Sequence, residues 1–147
     1  YMVLVIDADV DTCRRFSKIL QASHFRSHAC TDAHSALSFI ERSSPDLVIT
    51  ESSIYIDSDS TILTILTQRY SIIPVIVTSI DADIANVISA LRLGAVDYLI
   101  KPIADTRLLT DAVSRGLQRR HLSAESRFNS DELQVINAQL CARITEF

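Results

Sequence analysis

The chain alternates between two hydrophobic periods from its first residue to about Arg120. Met2-Val3-Leu4-Val5-Ile6, Asp46-Leu47-Val48-Ile49-Thr50, Ile72–Thr78 and Val96–Ile100 are short runs rich in apolar, β-branched residues. Each is followed by a stretch whose apolar residues recur every three or four positions. A continuous apolar run is what a strand buried on both faces presents, and the helical stretches between runs supply its cover. A weaker strand candidate, Arg26–Cys30, falls between the first two runs. Five such units in series predict an α/β chain with a doubly wound, five-stranded parallel sheet over residues 1–120.

The polar punctuation agrees with this reading. Asp7, Asp9 and Asp11 crowd the turn after the first strand and can cap a helix with Phe16, Ile19 and Leu20 on its apolar face. Thr31 or Asp32 opens a second helix carrying Ala33, Ala36, Leu37 and Ile40, and Pro45 marks its end. Ile62, Leu63, Ile65 and Leu66 belong to a third helix. The fourth is expected to open at Asp81, to bury Ile84, Val87, Ile88 and Leu91, and to stop at a left-handed Gly94. A fifth runs from about Asp105 with Leu108, Leu109, Ala112, Val113 and Leu117 inward. Over residues 121–147 the pattern changes: Asn129 and Glu132 resemble a capping box, and Leu133, Ile136, Leu140, Ile144 and Phe147 recur at helical spacing. A C-terminal helical extension is expected there, either folding back on the sheet or serving dimerisation and linkage to an output domain.

Composition excludes several classes. The net charge of −4 arises from twelve acids against eight bases up to Lys101, with six against six beyond it. That balance lacks the basic excess that contact with nucleic-acid phosphates needs. No apolar run approaches the ~20 residues of a membrane span, and the opening residues lack the basic region and cleavage site of an export signal. Cys13, Cys30 and Cys141 are odd in number and widely spaced, and His24, His28, His34 and His121 do not pair with them at zinc-ligand spacing. A reducing cytoplasm is the expected location. Gly94 and Gly116 are the two glycines, neither placed in a phosphate-cradling loop, and no Ser-His-Asp or Cys-His set can be assembled. The chain is therefore not expected to be an enzyme, and a flavodoxin-like domain holding a small ligand or cofactor is a remote alternative.

In an open parallel sheet the site lies outside the C-terminal strand ends. The polar residues there are Asp7, Glu51, Thr78, Ser79 and Lys101. Two acids, a hydroxyl and an amine on one rim would suit a phosphoryl group with a divalent cation. At these residues the sequence resembles the receiver domain of two-component response regulators, from residue 2 to about 120. The resemblance rests on Val3-Leu4-Val5-Ile6-Asp7, Pro45-Asp46-Leu47-Val48-Ile49, Pro74-Val75-Ile76-Val77-Thr78-Ser79 and Gly94-Ala95-Val96-Asp97-Tyr98-Leu99-Ile100-Lys101-Pro102. It implies a flavodoxin-like strand order of 2-1-3-4-5, a switch pair Thr78 and Tyr98, an invariant lysine at Lys101 and a cis peptide before Pro102.

Three departures from the family pattern stand out. The paired acids after the first strand read Asp7-Ala8, so the direct magnesium ligand is missing and any metal contribution of Asp7 is expected to be weak or lost; Asp9, one residue on, either joins the acidic pocket or points along the helix. The phosphoacceptor aspartate falls on Glu51, one methylene longer, and in-line transfer is sensitive to such placement. The loop from Ser52 to Asp59 lacks the usual proline and glycine. The resulting expectation is an atypical receiver in which Glu51 is a built-in anion paired with Lys101, Thr78 turns inward and Tyr98 follows. Magnesium is expected at most weakly and no other cofactor. Signalling would run through a sensor histidine kinase or another protein, or through a homodimer formed by the fourth-to-fifth-helix face or residues 121–147. The alternative is a conventional magnesium-dependent phosphoreceiver in a phosphorelay.

Overall fold

A computed structural model describes residues 1–57, 60–80, 83–103 and 105–119. Its strands are β1 (Met2–Ile6), β2 (Arg26–Cys30), β3 (Leu47–Glu51), β4 (Val75–Ser79) and β5 (Asp97–Ile100), all parallel, in the order β2-β1-β3-β4-β5. This is the doubly wound, flavodoxin-like sheet expected from the sequence. The helices are α1 (Val10–Ala22), α2 (Ala33–Ser43), α3 (Ile62–Arg69), α4 (Ile84–Arg92) and α5, residues 106–119. The strand expected at Ile72–Thr78 begins only at Val75, because Pro74 cannot donate to the ladder and its carbonyl instead accepts from Val48 N–H.

The continuous apolar runs feed two cores, one on each face. Leu4, Ile6, Val48, Val75 and Val77 pack with α2 and α3; Val3, Val5, Leu47, Ile49 and Ile76 pack with α1 and α5. Each fully buried Val, Leu or Ile contributes roughly 1.5–3 kcal/mol of transfer free energy. The expected caps form at Asp9, whose carboxylate accepts from Asp11 N–H, and at Asp32, which accepts from Ser35 N–H. Gly94 takes the left-handed φ of +115° expected of it. A Cβ at Gly116 would come within 2.6 Å of Leu47 Cδ1, so α5 approaches β3 as closely as it does because that position has no side chain.

Two helical faces differ from the sequence reading. On α4, Ile84, Ile88 and Leu91 are 72, 43 and 45 % exposed, Val87 is half-buried, and the buried residue is Ala90. The helix buries Ala90 against the core and turns its apolar stripe outward, so a regular apolar period identified the stripe without identifying its partner. On α5, Leu108 is 54 % exposed while Leu109, Ala112, Val113 and Leu117 are buried. The cap of α4 is Asp83. Asp81, expected to open that helix, lies outside the described residues, as do Asp59 and the extension expected over residues 121–147.

Candidate functional site

Sheet register brings the strand ends to one level. Ile6 pairs with Thr50, so Asp7 arrives beside Glu51; Glu51 pairs with Thr78; and Ser79 pairs with Ile100, which delivers Lys101 to the same rim. Backbone bonds fix these positions. Asp7 N–H donates to the Cys30 carbonyl at 3.1 Å, Ser52 N–H to the Thr78 carbonyl at 2.9 Å, and Lys101 N–H to the Ser79 carbonyl at 2.7 Å. The Lys101–Pro102 peptide is cis, as the resemblance implied, and Pro102 itself is exposed.

The centre of the rim is a charge triad. Lys101 Nζ donates to Asp7 Oδ2 at 2.8 Å and stands 3.4 Å from Glu51 Oε1. The Asp7 side chain is 2 % exposed, that of Lys101 11 % and that of Glu51 18 %. Burial opposes the ammonium charge, but the hydrogen bond and negative charge of Asp7, reinforced by Glu51, outweigh it and hold the Lys101 pKa above the ordinary lysine value. Asp7 uses its other oxygen as well, accepting from Asp9 N–H at 2.9 Å through Oδ1. Cys13 Sγ donates to the Asp7 carbonyl, and burial followed by the charge of Asp7 raises its thiol pKa.

The remaining site candidates divide. Asp9 is exposed, and its carboxylate accepts from Asp11 N–H and Thr12 Oγ1 at the start of α1, so it caps the helix. Ala8 is exposed and offers the rim no oxygen. Thr78 is buried, and its Oγ1 has no hydrogen-bond partner among the described residues. Ser79 is buried and Tyr98 half-buried against the α2–α3 core. One feature escaped the sequence reading: the direct Asp7–Lys101 bond, which joins residues 94 positions apart.

A model of the response regulator receiver domain matches residues 3–113. The transcriptional regulatory protein PrrA of Mycobacterium tuberculosis is 28 % identical over 124 residues, covering 84 % of this chain and 53 % of PrrA. The NtrX protein of Brucella abortus superimposes with a TM-score of 0.77 at 27 % identity, covering 86 % of this chain and 28 % of NtrX. The receiver domain of that NtrX, crystallised alone, gives a TM-score of 0.71 at 28 % identity, with 79 and 98 % of the two chains covered. The chain thus spans about half the length of PrrA and little more than a quarter of NtrX. With the 2-1-3-4-5 sheet and the rim of Asp7, Glu51, Thr78 and Lys101 in place, the match over residues 3–113 shows that this chain belongs to the response regulator receiver domain family, the signalling modules of two-component systems.

Proposed function

We propose that this receiver is atypical: Glu51 and Lys101 form a standing ion pair, and the domain signals through protein contacts without ordinary aspartyl phosphorylation. The observation that carries this reading is the single ammonium of Lys101 between two carboxylates, 2.8 Å from Asp7 and 3.4 Å from Glu51. A family magnesium ion would need near-octahedral oxygen ligands with carboxylates among them. Ala8 contributes none, Asp7 already spends one oxygen on Lys101 and the other on Asp9 N–H, and an ammonium stands where the cation's field would act. The residues present do not fit that ion. Partners on this reading are a sensor histidine kinase, another signalling protein, or a second copy docking on the exposed Ile84, Ile88 and Leu91 of α4 together with Leu108 of α5.

The unpartnered Thr78 hydroxyl favours a second reading, since a buried donor without an acceptor is ready to receive an oxyanion. One titration separates the two. Magnesium with beryllofluoride, a stand-in for the phosphoryl group, is added to the labelled protein while the amides of Asp7, Glu51, Thr78 and Lys101 are followed. Absence of saturable shifts is the expected result. Saturable shifts confined to that rim would make this a conventional phosphoreceiver.

A further inference from the structure

Beside the charged rim, between the end of β4, the β3–α3 loop and the inner face of α4, lies a cleft of about 460 Å³. On the α4 side it is lined by Asn86, Ser89 and Ala90, of which Ala90 is buried and the other two are exposed, while Ile84, Ile88 and Leu91 are exposed outside it. The volume falls in the ~300–1,000 Å³ range of small-molecule sites. Its walls combine apolar carbon, including Leu63 and Val77, with polar groups from Ser79, Asn86, Ser89 and Tyr98. Electrostatics narrow the class of occupant. Among the described residues the lining contains no lysine, arginine or histidine, and its one acid is Glu51. Glu51 directs Oε1 toward Lys101, whereas its Oε2 has no hydrogen bond among the described residues.

We propose that this cleft is a binding site for a small molecule with a flat apolar body and a cationic or hydrogen-bond-donating end, the apolar part lying under α4 and the donor meeting Glu51. An anionic ligand is disfavoured, because Glu51 would oppose it and no lining cation would offset the repulsion. Occupation would hold α4 with its apolar stripe outward, so the ligand would regulate the same face through which the domain is proposed to meet its partners. The site shares Glu51 with the charge triad, but its α4 wall of Asn86, Ser89 and Ala90 is its own, so ligand binding and phosphoryl binding can be read separately at Ser89 and at Asp7.

Three probes share one ring system and differ in charge: tryptamine, indole and indole-3-acetate. Each is titrated into the labelled domain, with the amides of Ser79, Asn86, Ser89 and Leu93 as reporters. Small fragments of this size bind at about millimolar strength. The expected order is tryptamine, then indole, then indole-3-acetate, with at least a fivefold gap between the first and last. Glu51→Gln should bring tryptamine to the level of indole, and Ser89→Phe, which fills the cleft from an exposed helix position, should abolish the shifts. Asn86→Phe serves as a second filling variant, and unchanged β1 and β2 amides certify the fold of each. No saturable shift with any probe at ~10 mM, or equal binding of indole-3-acetate, or shifts that survive both filling variants, would overturn the proposal. Beryllofluoride binding at Asp7 and Thr78 alongside tryptamine binding at Ser89 would refute the phosphorylation-independent reading and leave the cleft site standing.

Discussion

Replacing Lys101 with methionine tests the charge triad directly, because methionine keeps an unbranched chain of similar length and removes only the cation. The Asp7 carboxylate, 2 % exposed, would keep its bond from Asp9 N–H and lose the ammonium at Oδ2. Glu51 would lose its partner at the same moment, leaving two carboxylates facing each other across a space formerly held by one positive charge. Breaking a fully buried pair costs about 3–5 kcal/mol. Lys101 and Glu51, 11 and 18 % exposed, admit some solvent to the rim, which lowers the expected loss in urea unfolding to about 2–3 kcal/mol. The emptied carboxylate pair should then respond to a divalent cation more strongly than the parent does. With a dissociation constant of about 1 mM, ~10 mM magnesium would return about 1.4 kcal/mol to the variant and nothing to the parent. Alkaline titration gives an independent check. Since the folded pKa of Lys101 is raised, its contribution is complete below the unfolded value of about 10.4 and is lost as pH rises through the folded one. The parent should therefore lose stability over that window and Lys101→Met should lose less. A loss under about 1 kcal/mol, or equal magnesium stabilisation of parent and variant, would refute the view that Lys101 is the resident cation of the pocket.

Three further outcomes follow from particular contacts. Asp9→Ala should lower stability by about 1 kcal/mol through loss of the α1 cap while leaving amide shifts at Glu51 and Thr78 in place; a response confined to the rim would return Asp9 to the pocket. Gly116→Ala should cost about 1 kcal/mol despite alanine's better helix propensity, because its Cβ meets the buried Leu47 Cδ1 at 2.6 Å, whereas Ser114→Ala on the exposed side of α5 should be neutral in thermal unfolding. Changing Ile84, Ile88 and Leu91 together to serine should alter stability by less than about 1 kcal/mol yet weaken self-association or partner capture in sedimentation experiments. A large loss of stability there would show that the stripe is packed in solution.

Most of the fold was legible because both of its signals are local. Val3 to Ile6 and Val48 to Ile49 are apolar without alternation, which only a sheet covered on two faces explains, and Asp9, Asp32 and Gly94 punctuate helices by side-chain geometry that acts within a few residues. The orientation of α4 was not legible, since period fixes which residues share a face and not what that face meets. Ile84, Ile88 and Leu91 share one, and the sheet meets Ala90 instead. Residue types at the strand ends named Asp7, Glu51, Thr78 and Lys101, and sheet register brings those positions to one rim. Which acid Lys101 would favour was beyond the sequence. Glu51 and Asp7 arrive at the same level on neighbouring strands, and a difference of 0.6 Å in reach decides between a hydrogen bond and a looser pairing.

Ala8 changes the electrostatics of the rim more than it changes its shape. Asp7, Glu51 and Lys101 together leave one net negative charge, which a single ammonium between two carboxylates already stabilises. A carboxylate at position 8 would add a second negative charge and a further oxygen ligand unencumbered by Lys101, which is the condition under which a divalent cation becomes worth its dehydration. Glu51→Asp, by contrast, shortens an arm and leaves the charge count as it was. Ala8→Asp alone should therefore confer most of the magnesium affinity gained by the double variant, and Glu51→Asp alone almost none, as read by magnesium-dependent amide shifts at Asp7. The reverse order would mean that reach at position 51, and not charge at position 8, limits what this pocket can hold.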